Sequence, residues 1–200
     1  MKKIIWVFGE SATGKKTLIN YLMKQPNSEL SINLGLENET INLVDITISQ
    51  NLTSFDDNEN EKRRHVQILE SINKFNRDEN GTVLLIKGQS NDMDERYGNT
   101  LKASSILFPD IMKEILLLEV HDLDILYERF IQKDWFLEDK IRYSQLFPRE
   151  WLDGAVKKHR EKVYSYQSLG FEITEIDSTY EFKIHNQKKQ NIYSEKYSIK

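Results

Sequence analysis

The chain contains no cysteine, which excludes disulfides, thiolate nucleophiles and zinc–thiolate sites. It has three prolines, and two of them, Pro26 and Pro109, stand where helical patterns stop. No apolar run is long enough to span a bilayer. The opening stretch Lys2 to Phe8 runs into Gly9 and Glu10 too soon for a signal peptide. The expectation is a reduced, cytoplasmic protein with no membrane contact. An excess of positive charge is also missing. The formal net charge of −4 argues against a protein that coats nucleic acid, although local charge, not the total, decides whether a nucleotide can bind.

What remains is enough for one globular domain. The chain has 200 residues, 38% hydrophobic and 30% charged, and nine Phe, nine Tyr and three Trp supply bulk for a core.

Ile4 to Phe8 is short, β-branched and aromatic and ends in glycine, the pattern of a buried strand. After a loop from Gly9 to Gly14, residues Thr17, Leu18, Ile19, Tyr21 and Leu22 recur at helical spacing until Pro26. Ile41 to Ile48 reads as a strand, with a shorter strand from Leu30 to Leu36 expected before it. Residues 53–60 form an acidic loop. Val66, Leu69, Ile72 and Phe75 then share a helical stripe, and Asn80-Gly81 makes a turn. Thr82 to Ile86 is an apolar strand closed by Lys87-Gly88. A helix is expected over 99–108, then an apolar strand at Ile115 to Leu118, with Asp122 capping the next helix.

The segment 134–149 mixes charges and aromatics without a clear period. Leu152, Val156, His159 and Val163 mark a long helix ending at Gly170. Phe171, Ile173 and Ile176 alternate with Glu172, Thr174 and Glu175 in a half-polar strand, expected at a sheet edge. Alternation of strands and helices implies a three-layer α/β fold.

Gly9-Glu10-Ser11-Ala12-Thr13-Gly14-Lys15-Lys16-Thr17 has Walker A spacing between an apolar strand and an amphipathic helix. Glycines let successive N–H groups turn inward toward phosphate oxygens, and the helix adds its positive dipole end. Lys15 brings an ammonium to the outer phosphates. A glycine turn that binds nothing is the bland alternative, and the strand–loop–helix setting weighs against it. Lys16 stands where a magnesium-binding hydroxyl is usual, and the hydroxyl comes one place later at Thr17.

The Gly-Lys-X-Thr form resembles adenylate-kinase-like members of the P-loop kinase superfamily. The resemblance implies that Thr17 reaches the α- or β-phosphate and that Mg2+ is held mainly by water and phosphate, with no protein metal ligand assigned. Val120-His121-Asp122 followed by Leu126, Arg129 and Lys133 resembles the strand-to-lid region of these enzymes. There Arg129, and Lys133 in place of a second arginine, would meet adenine or phosphate; for Lys133 a helix C-terminus carrying cations for its dipole is the equal alternative. The segment from about 133 to 150 takes the place of the lid, with Arg142 and Arg149 as candidates to neutralise the phosphoryl in transit.

Leu84 to Asp92 resembles the strand and polar loop of polynucleotide-kinase-like members, with Gln89 and Arg96 on the acceptor side. The aspartate expected there is replaced by Lys87 or Gly88. Asp45 is the candidate base, or else a strand-terminal carboxylate bonded to backbone. Arg63 and Arg64 lie where nucleoside monophosphate kinases bind the acceptor, or on a solvated face.

The resemblance covers most of residues 1–178 as an arrangement of elements. At residue level, only the Gly9–Thr17 loop is specific. It implies a three-layer P-loop NTPase fold with a mostly parallel five-stranded sheet, order 2-3-1-4-5, over residues 1–180, and a charged extension over 181–200. It also implies transfer of the γ-phosphoryl of ATP, with Mg2+, to a small phosphate or hydroxyl acceptor such as a nucleotide or nucleoside. Nucleic acid enters only as a 5′-end substrate. The missing acidic residue near Lys87 and the missing hydroxyl at Lys16 leave a non-catalytic ATP-binding sensor or adaptor open. The chain has no Asn-Lys-X-Asp motif, and Asp45 is not followed by X-X-Gly, which argues against a regulatory GTPase.

Overall fold

A computed structural model describes residues 2–46 and 58–185. Parts of three expected features lie outside them: the end of the strand at 47–48, most of the acidic loop, and the extension beyond 185. In chain order the elements are β1 (Lys3–Phe8), α1 (Lys15–Lys24), α2 (Glu29–Asn33), β2 (Ile41–Val44), α3 (Asn58–Arg77) and β3 (Val83–Lys87). They continue with α4 (Thr100–Leu107), β4 (Met112–Glu119), α5 (Leu123–Ile131), α6 (Asp134–Glu138), α7 (Lys140–Leu146), α8 (Arg149–Ser165), β5 (Glu172–Asp177) and β6 (Lys183–Ile184).

The strands form one sheet in the order β2-β3-β1-β4-β5-β6. All neighbours are parallel except β5 and β6. β1 lies inside the sheet, and Ile4, Ile5, Trp6, Val7 and Phe8 are each 0% exposed. Because successive side chains point to opposite faces, Ile4, Trp6 and Phe8 pack with Ile68 and Ile72 of α3, Leu101 of α4 and Val163 of α8. Ile5 and Val7 pack on the other face with Leu18, Ile19 and Leu22 of α1 and Leu30 of α2. Helices therefore cover both faces, and the fold is a three-layered α/β fold with a mostly parallel sheet.

Four local differences from the sequence reading have physical causes. Leu30 to Leu36 is not a strand: Ser28 caps α2 by accepting the Ser31 N–H at 3.2 Å, and Leu30, Leu34 and Leu36 are buried. On α3, Val66 is exposed, and the core stripe is Ile68, Ile72 and Phe75. The half-polar β5 gains a neighbour, because Phe182 and Ile184 pack on the core and draw β6 to the edge. The segment 134–149 holds two short helices gathered on Phe130, whose ring centroid lies 5.2 Å from Trp135, 5.9 Å from Phe136 and 6.2 Å from Phe147. Aromatic packing of this kind has no sequence period to betray it.

Candidate functional site

The loop between β1 and α1 takes a shape that most residues avoid. Gly9 has φ +147°, Ala12 +71° and Gly14 +93°. A Cβ on Gly9 would stand 2.5 Å from Thr13 Oγ1 and 2.6 Å from the Leu118 carbonyl oxygen, so nothing larger fits. Thr13 closes the turn by donating its hydroxyl to the Glu10 carbonyl at 2.9 Å. Ser178, after β5, donates its hydroxyl to the Thr13 carbonyl at 2.7 Å. Gly14 begins α1 with no side-chain cap. The N–H groups of the first turn, Lys15 to Thr17, are thus left for an anion, with the helix dipole behind them.

Lys15 Nζ donates to the carbonyls of Gly9 at 2.5 Å and Glu10 at 2.9 Å. Burial pushes its ammonium down to about 8; Glu10 opposes this, while Lys133 and Lys87 add to it. Three lysines from three separated segments therefore bear on one point. Burial raises the Glu10 carboxyl above its usual range against the pull of Lys15.

The loop from Gly9 to Thr17 lines a cleft of about 1220 Å³, with Lys87, Gln89 and Asn91 after β3 and Arg129 and Lys133 near the end of α5. Trp135, Phe147, Trp151, Tyr180 and Phe182 add an aromatic wall. Arg129 Nη1 donates to the Ser178 carbonyl at 2.9 Å, and its Nη2 to the Thr179 carbonyl. It fixes the segment after β5 against α5.

No family model matches the chain, and no curated protein matches it. Among solved structures the chain is similar to the yeast YGR205w protein, with a TM-score of 0.43 and 14% identity over 93% of this chain and 90% of that one. The chemistry of the cleft follows from its own residues.

The structure gathers Gly9, Ser11, Ala12, Thr13, Gly14, Lys15, Lys16, Thr17, Gln89, Arg129 and Lys133 around that cleft. Asp45 stands one step away: its Oδ1 accepts from Lys87 Nζ at 3.0 Å, and Lys87 lines the cleft. The pair follows from register, since Val44 lies beside Ile86 in the parallel sheet.

The other cations lie elsewhere. Arg64 is 1% exposed and forks onto Asp92, Nε to Oδ1 at 2.8 Å and Nη2 to Oδ2 at 2.7 Å. Its Nη2 also donates to the Lys87 carbonyl at 2.9 Å. Arg64 thus pins α3 to the end of β3 and is closed to an acceptor. Arg63 is exposed on α3. Arg96 turns back to Asp94, with Nη2 2.8 Å from Oδ2. Arg142 lies over the Tyr143 ring, 5.8 Å from its centroid, and Arg149 pairs with Asp124 on α5. Among the described residues none of these five arginines lines the cleft.

His159 was legible in the sequence only as part of a helical stripe. It is buried on α8 against the Phe8 ring, centroids 5.9 Å apart, with Nδ1 3.6 Å from Glu10 Oε1. Burial, with Lys15 and Lys162 nearby, pushes the imidazole down to about 4. Arg160, on the same helix, bonds two buried carboxylates: Glu119 at 3.0 Å and Glu175 at 2.5 Å. Burial raises the Glu119 carboxyl, and Arg160 opposes this. No sequence signal marks that bridge, because its three members come from three separated elements, β4, β5 and α8.

Proposed function

We propose that the chain is an ATP-dependent phosphotransferase that moves the γ-phosphoryl group to a hydroxyl of a small, ring-bearing acceptor of the nucleoside type. The observation that carries this is the convergence of Lys15, Lys87 and Lys133 on a loop whose helix-start N–H groups lack a capping side chain. Phosphoryl transfer depends on positioning and on cations around a charge-rich group in transit, and this cleft supplies both.

ATP fits the loop by charge and by backbone geometry. Mg2+ fits only through phosphate oxygens and water, since Lys16 replaces the hydroxyl and β3 ends in Lys87. When bound, the ion would neutralise phosphate charge.

A hydroxyl acceptor is favoured over a phosphate because acceptor-side cations are scarce. Arg64 is buried with Asp92, Arg96 is turned to Asp94, and Lys87 faces Asp45. In the reaction the acceptor O–H passes its proton to the Asp45 carboxylate. The oxygen bonds to the γ-phosphorus, the bond to the β–γ bridging oxygen breaks, and ADP leaves. Gln89 and Asn91 offer hydrogen bonds to an acceptor, and the aromatic wall offers stacking.

The test is ATP consumption across a panel of nucleosides, nucleotides and 5′-hydroxyl oligonucleotides. Acceptor-dependent ADP release with nucleosides is the expected result. A second reading, a non-catalytic ATP sensor, is favoured by the absence of a carboxylate at the end of β3. ATP binding without turnover on any acceptor would select it.

A further inference from the structure

Three metal-ligating side chains meet at the edge of the sheet occupied by β5 and β6. His121 lies in the turn between β4 and α5, Asp177 ends β5, and His185 follows β6. One ligand atom from each lies within 4.8 Å of the other two. The two imidazoles, half of the chain's four histidines, meet edge to face with centroids 4.6 Å apart.

His185 Nε2 stands 3.5 Å from Asp177 Oδ2. That is longer than an ordinary N–H···O bond. It matches the edge of a tetrahedron, roughly 3.4 Å, whose donors each lie about 2.0–2.1 Å from a central ion.

Thr179 orients the carboxylate and fixes the backbone of His121. Thr179 donates its N–H at 2.8 Å and its hydroxyl at 2.5 Å to Asp177 Oδ1, which leaves Oδ2 toward His185. The same hydroxyl oxygen accepts the backbone N–H of His121 at 3.0 Å. One threonine thus positions two of the three ligand-bearing residues, the role that outer partners play around bound metals.

We propose that His121, Asp177 and His185 form a binding site for a transition-metal dication, with Zn2+ as its occupant. Two imidazole nitrogens and one carboxylate oxygen suit a borderline ion; Mg2+ and Ca2+ prefer all-oxygen sets. Both histidines are exposed, so water completes the coordination. The ion ties both ends of segment 178–184 to the turn before α5. That segment carries Ser178, Tyr180 and Phe182 into the wall of the phosphate cleft and holds Arg129 through the carbonyls of Ser178 and Thr179. Metal uptake therefore stiffens the cleft from outside it.

The experiment is calorimetric titration of the chelator-treated full chain with ZnCl2, free of Mg2+ and nucleotide, alongside thermal melts. One Zn2+ per chain with a raised Tm is expected, and Co2+ in its place should give the visible bands of a four-coordinate ion. His121→Ala and His185→Ala should each abolish saturable uptake. Thr179→Val, which keeps every ligand, should weaken it about 10- to 100-fold, with circular dichroism confirming that each variant is folded. Absence of saturable uptake by the parent chain overturns the proposal, as does unchanged uptake by a folded His121→Ala/His185→Ala variant. Lys15→Ala should bind Zn2+ as the parent does; loss there would place the ion in the phosphate cleft and sink this site.

Discussion

Lys87 Nζ stands 3.0 Å from Asp45 Oδ1, so the cation that ends β3 faces the carboxylate that follows β2, beside the phosphate loop. Lys87 lines the cleft, so the pair holds the carboxylate one side chain away from it. Asp45→Asn should lower kcat by about two to four orders of magnitude, the usual range for a general base. ATP affinity should be nearly unchanged, since Asp45 does not line the nucleotide loop. Steady-state kinetics with the best acceptor, beside an ATP titration, checks both halves.

Lys15 carries the second prediction. Replacing it by alanine should weaken ATP by roughly 10- to 100-fold, from the loss of about 1.5–3 kcal/mol in charged hydrogen bonds. The native lysine should also make binding depend on pH. Its ammonium is held at about 8 when the cleft is free, and an arriving polyphosphate favours the charged form. Above pH 8 binding must therefore take up a proton, and affinity should fall about tenfold per pH unit. Calorimetry at pH 9 in buffers of different ionisation enthalpy should show that uptake in the native chain and not in Lys15→Ala.

His159 makes a prediction about stability. Its imidazole sits at about 4 when folded against about 6.5 in an unfolded chain. Between those values the unfolded state binds more protons, so stability rises with pH. The contribution is complete above pH 6.5 and is lost as pH falls toward 4. It amounts to about 3 kcal/mol. Urea unfolding of the native chain and His159→Gln should differ in their pH slopes across that window and run parallel above pH 7. Equal slopes would remove His159 as the cause.

The Arg64–Asp92 pair is a fold contact. Arg64→Ala leaves a buried carboxylate without its partner and should cost about 3–5 kcal/mol. The double change Arg64→Leu/Asp92→Leu should recover much of that loss, because neither charge then stays buried. Acceptor KM in any folded remnant of Arg64→Ala should be near native. A specific rise in KM with unchanged stability would restore Arg64 to the acceptor site.

Local features of the phosphate loop and sheet were readable directly. The apolar run before Gly9, the helical spacing after Gly14 and the glycines at positive φ are all local requirements, and each leaves a residue type in a fixed place. The apolar strands at β1, β3 and β4 were legible for the same reason. The two short helices at 134–146 were not, because the aromatic contacts around Phe130 follow no helical or strand period. Nor could spacing tell Arg64, on the buried side of α3, from its exposed neighbour Arg63.

By itself the sequence determined which backbone segment turns at positive φ between β1 and α1, because glycine and helix-start chemistry act over a few residues. Only the tertiary structure decided which charged groups meet it. Lys87 and Lys133 line the same cleft as the loop, Asp45 finds Lys87, Arg64 goes to Asp92, and His159 lies under Glu10, because parallel register and helix docking set distances between residues far apart in the chain.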